Sequence, residues 1–96
     1  MDKIPKEERR LMQKEYADKL AGYLPVLRAA ADLTQNQLAK RLDVTRPTIM
    51  SIETRKRPLQ FHLYLAMVLV FMQNEDSKKL LESFELFDGA FLSRIL

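Results

Sequence analysis

Apolar side chains recur at helical spacing along most of the chain. Met12, Tyr16, Leu20, Leu24 and Leu27 follow one another by four, four, four and three residues. They therefore line one face of a helix that starts at about Pro5, a favourable first-turn residue. Pro25 falls inside that stripe, where it removes a backbone donor and crowds the preceding turn. A kink or break is expected between Gly22 and Leu24. Leu38, Ala39 and Leu42 then mark a helix of about two turns behind Thr34, an N-cap candidate. Asp43 ends that pattern, since a short polar side chain tolerates the left-handed conformation that closes a helix. A second short helix begins at once. Thr45 is its cap, Pro47 sits in the first turn where a missing N–H costs least, and Ile49 and Ile52 face inward.

The stretch from Leu59 to Gln73 is apolar on nearly every side, which predicts a buried helix, with a strand as the alternative because of Val68 and Val70. A last helix over about Glu75 to Phe87 places Leu80, Leu81, Phe84 and Phe87 on one face and ends before Gly89. The elements make an all-α fold of five or six helices. Two glycines are too few for the tight turns of a small β-sandwich.

Composition narrows the function classes. With 96 residues, 47% apolar and 30% charged, the chain reads as one globular domain. Cysteine is absent, which removes disulfides, thiolate nucleophiles and cysteine-containing zinc sites. His62 is the only histidine and has no cysteine companion, so no metal is expected. Glu7, Glu8, Glu82 and Glu85 belong to solvated helix faces, and no nucleophile or glycine-rich phosphate loop stands near them in sequence. Neither catalysis nor a cofactor is expected. The start, MDKIPKEERR, lacks the apolar core of a signal peptide, and the longest apolar run, Leu63 to Met72, is about half a membrane span. A cytoplasmic location without a membrane partner is the resulting expectation.

Charge is distributed unevenly, which matters more than the net +3. Between Lys40 and Arg57, six cations (Lys40, Arg41, Arg46, Arg55, Lys56, Arg57) face two anions (Asp43, Glu53), a net +4. From Pro58 onward three cations face five anions, a net −2. A solvated helix face is the simplest meaning of a charge run. Here, however, the basic residues directly follow two short helices joined by a tight turn, the arrangement that lets a helix enter a DNA major groove. With Ile49 at the centre of the buried side, a rotation of about 100° per residue turns Pro47, Met50, Ser51 and Thr54 outward, with Arg46 and Thr48 flanking. That surface is small or polar apart from Met50.

These residues resemble the XRE family of lambda-repressor-like helix-turn-helix proteins. The likeness runs from about Leu20 to Met72, through Leu24-Pro25-Val26-Leu27-Arg28, Leu33-Thr34-Gln35-Asn36-Gln37-Leu38-Ala39-Lys40-Arg41-Leu42-Asp43-Val44-Thr45, Thr48-Ile49-Met50-Ser51-Ile52-Glu53, Lys56 and Leu65-Ala66. It implies a lambda-repressor-like bundle in which Gln35 meets a DNA phosphate, and in which Arg46, Pro47 and Ser51 face bases behind the cap Thr45. It further implies that Thr48, Arg55, Lys56 and Arg57 meet the sugar-phosphate backbone. Arg46 suits guanine O6 and N7, whereas Pro47 can offer only shape or contact with a thymine methyl. Arg28 and Glu53 match a buried ion pair across the motif, with two surface charges as the alternative. Two departures stand out. Thr54-Arg55 replaces the glycine usual after the motif glutamate, which suggests a different chain path there, and Asp43 replaces another common glycine.

The resulting organisation is an N-terminal helical extension (1–19), a helix-turn-helix DNA-binding domain (20–74), and a C-terminal helix with an apolar tail (75–96) suited to dimerisation. The expected partner is double-stranded DNA, bound sequence-specifically by a homodimeric transcriptional regulator. Dimerisation follows because one recognition helix makes few base contacts, and because Leu59 to Gln73 with Phe91, Leu92, Ile95 and Leu96 offers much apolar surface. The alternative is a protein-interaction module, such as an antitoxin or bridging factor, that binds a toxin or the transcription machinery.

Overall fold

A computed structural model describes residues 4–96, with the side chains of Phe91, Leu92 and Ile95 outside the described set. Seven α-helices and no strand occur among these residues: α1 (Lys6–Gly22), α2 (Leu24–Ala30), α3 (Gln35–Leu42), α4 (Arg46–Glu53), α5 (Phe61–Phe71), α6 (Glu75–Ser83) and α7 (Gly89–Ile95). The fold is all-α, as the periodicity predicts. The first expected helix does break at Tyr23, and Pro25 sits in the opening turn of α2, where it forfeits no helical hydrogen bond. The strand alternative for the apolar stretch is replaced by α5, whose Tyr64, Met67, Val68 and Phe71 are buried.

One core joins α1 through α6. Leu20, Leu24, Leu27, Leu38, Ile49, Ile52, Met67, Phe71, Leu81 and Leu86 lie within it, essentially without solvent exposure. The C-terminal segment therefore spends Leu81 and Leu86 on the chain's own interior. Phe84 also stacks on Tyr23, with ring centroids 4.3 Å apart. The Tyr64 hydroxyl donates to the Leu86 carbonyl at 2.6 Å, satisfying a buried acceptor just beyond α6, and burial raises the Tyr64 pKa.

Helix endings explain how so many turns fit a chain with two glycines. Asp32, Asp43, Arg55 and Glu85 all adopt positive φ, between 54° and 64°. At each, its own N–H bonds a carbonyl three residues back, and the next N–H bonds a carbonyl five back: Leu33 to Arg28, Val44 to Ala39, Lys56 to Ser51, Leu86 to Leu81. This is the Schellman closure, usually built on glycine. A non-glycine side chain in that conformation costs about 1–2 kcal/mol, which burial of Leu86 beside Glu85 helps offset. Here the reading of the last helix needs correction. α6 stops at Ser83, closed by Glu85, and Gly89 opens α7 rather than ending its predecessor.

Among the described residues no helix is long and apolar enough to cross a membrane, and no group of histidines and carboxylates could hold a metal ion.

Candidate nucleic-acid interface

α3 and α4 form the packed pair that sets the geometry of this surface. Thr34 caps α3 reciprocally: its Oγ1 accepts from the Gln37 amide at 3.1 Å, while its own amide donates to Gln37 Oε1 at 2.9 Å. Asp43 closes α3 at φ 57°, two residues before Thr45 starts the next helix. Thr45 Oγ1 accepts from the Thr48 amide at 3.4 Å, and Pro47 occupies the first turn of α4. Ile49 and Ile52 turn inward and are buried; Arg46, Pro47 and Met50 are exposed, and Thr48 and Ser51 are half-buried.

Beneath that surface lies a polar chain of four residues. Arg28 Nε donates to Glu53 Oε2 at 2.5 Å and its Nη2 to Glu53 Oε1 at 3.1 Å, while Nη1 reaches the Leu33 carbonyl at 3.1 Å. The two side chains retain only 17% and 7% exposure, so this two-pronged pair is largely withdrawn from water. Glu53 Oε1 also accepts from Gln35 Nε2 at 2.9 Å, and Gln35 Oε1 accepts from Arg46 Nε at 3.4 Å. The arginine that heads α4 is thus tethered, through one amide, to the ion pair that joins α2 to α4. Gln35 is half-buried as a result, and its side chain already has partners at both ends.

The basic turn after α4 divides into three roles. Arg55 takes the left-handed conformation at φ 64°, so the chain there turns as a glycine would let it turn. Its Nη1 donates to the Asp18 carbonyl of α1 at 2.9 Å. Sequence reasoning missed that contact, which crosses 37 residues. Arg57 Nη1 donates to Thr48 Oγ1 at 3.2 Å, joining the Thr45–Thr48 hydroxyl pair at the head of α4. Lys56 is exposed with no side-chain partner among the described residues. Thr54 is exposed, as expected, and its hydroxyl donates to the Met50 carbonyl at 2.9 Å.

Together Arg46, Lys56 and Arg57, with the half-buried hydroxyls of Thr48 and Ser51, surround one exposed helix face. Such a surface presents donors to an anionic, grooved ligand.

Comparison with known proteins adds one match. A family model described as a helix-turn-helix domain aligns with residues 19–73, more than half of the chain. Neither the curated proteins nor the solved structures gave a match.

Proposed function

The chain belongs to the helix-turn-helix domain family, and on that premise we propose that it is a sequence-specific transcriptional regulator whose α4 enters the major groove of duplex DNA. The observation that carries this reading is the conjunction at α4 of an exposed outer face, a tethered arginine at its head and a basic turn at its foot. In this arrangement Arg46, Pro47 and Ser51 address base edges. Thr45, Thr48, Arg55, Lys56 and Arg57 address the backbone, and Gln35 brings the first turn of α3 to a phosphate while holding Arg46.

The regulator works as a homodimer in this proposal. An eight-residue recognition helix reads few base pairs, and the outer side of α5 leaves Leu69 64% exposed with Met72 beside the next turn. Leu96, also 64% exposed, offers residues 75–96 an apolar contact of their own after Leu81 and Leu86 have closed the core.

Arg46→Ala tests the assignment of readout. It should remove about 1–3 kcal/mol of discrimination at one base position per half-site, measured by competition between specific and single-substituted duplexes. Equal loss on specific and random duplexes would make Arg46 a phosphate contact instead.

A further inference from the structure

Most of α1 lies outside residues 19–73, the stretch matched by the family model. Its buried residues are Ala17, Leu20 and Ala21, all near its C-terminal end. The N-terminal half is only part-covered, with Arg9, Met12 and Gln13 half-buried. Along its exposed side Lys6, Arg10 and Lys14 recur every four residues and lead back to Asp18. All three are exposed, and none makes an ion pair or side-chain hydrogen bond among the described residues.

The anchor that orients this row is the Arg55 bond to the Asp18 carbonyl, which pins the basic turn to α1. At about 100° per residue, Lys14, Arg10 and Lys6 sit about 40°, 80° and 120° around the helix from Asp18, on the side of Ala17 and Ala21. Glu15 and Glu8 rotate about 60° and 80° the other way. Glu15 accordingly lines, with Tyr16 and Lys19, the cavity facing α6 and the segment after it. The signs are thus partly segregated, with Glu7 among the cations and Lys19 beside Glu8 and Glu15 as the exceptions, and the cations continue the Ala17–Ala21 side of α1 toward its N-terminus. A helix side that changes from alanine and leucine to unpaired lysine and arginine suits an anionic partner there.

We propose that Lys6, Arg10 and Lys14 of α1 form a second phosphate-binding row that grips the DNA backbone outside the base pairs read by α4. The proposal rests on the DNA-binding reading above. At a 1.5 Å rise per residue the row reaches about 18 Å from Asp18, the length of about five base pairs. Successive cations are about 6 Å apart, against one phosphate per 3.4 Å of axis on each strand, so each cation can meet its own phosphate.

The test compares full-length wild type, the triple variant Lys6→Ala/Arg10→Ala/Lys14→Ala and the turn variant Lys56→Ala/Arg57→Ala on a mixed-sequence duplex of about 30 base pairs. The slope of log affinity against log salt is the readout, since each released phosphate contact contributes about 0.9. The triple variant should lose up to about 2.7 from the magnitude of that slope, with an unchanged circular-dichroism melt. A loss of about one or more supports the row. A smaller loss, with the turn variant still flattened, overturns it and leaves the DNA-binding reading standing. If the wild type itself shows no salt-dependent binding, the DNA-binding reading fails and the row with it. Selective loss of binding to phosphatidylserine vesicles by the triple variant, with its DNA slope intact, would overturn the proposal in favour of a lipid surface.

Discussion

Glu53→Ala is expected to destabilise the fold by about 3–5 kcal/mol, because it strips a largely buried guanidinium of its counter-charge. Arg28 would keep only the Leu33 carbonyl as an acceptor, and Gln35 Nε2 would lose its bond as well. Domains of this size are stable by about 5–15 kcal/mol, so the variant would have little left in reserve. A denaturant titration reads the effect directly. A loss below about 1 kcal/mol would mean that water compensates Arg28 and that the pair behaves like an exposed one. The same substitution frees Gln35 from the interior, so whatever protein remains folded should also hold Arg46 less firmly.

The next largest effect is expected from the basic turn. Lys56→Ala/Arg57→Ala should reduce the slope of log affinity against log salt by up to about 1.8, two contacts at about 0.9 each. Over a rise from about 50 to 200 mM salt, that makes the variant's fall in affinity about 12-fold smaller than the wild type's. Arg55 is left in place deliberately: in an alanine variant the contact with the Asp18 carbonyl would vanish, mixing a folding defect with a binding defect. An unchanged slope in the double variant would remove the turn from the interface.

Much of this surface is legible in the sequence. Thr34, Thr45 and Pro47 announce two helix starts through chemistry confined to three or four residues, and the spacing of Leu38, Ile49 and Ile52 marks the sides that become buried. Other features depend on contacts that periodicity cannot register. The left-handed endings at Asp32, Arg55 and Glu85 carry no glycine, and at Glu85 the helical pattern runs straight through the point where the backbone turns. There the apolar spacing that suggested helix to Phe87 reports burial of Leu86, held by Tyr64, rather than continued helix. Asn74, which caps α6 through the amides of Asp76 and Ser77, was a readable signal that the sequence reading left unused. The pairing of Arg28 with Glu53, 25 residues apart, came from the family resemblance, and the inclusion of Gln35 required side-chain positions.

The central claim is that this fold reads duplex sequence through α4, and selection of bound molecules from a random duplex pool tests it most directly. The account predicts enrichment of a two-fold related sequence whose half-sites are separated by about one helical turn, with a position in each half-site that loses its preference in Arg46→Ala. Recovery of duplexes with no enriched sequence, or an enriched sequence indifferent to Arg46→Ala and to every other outward residue of α4, would contradict it.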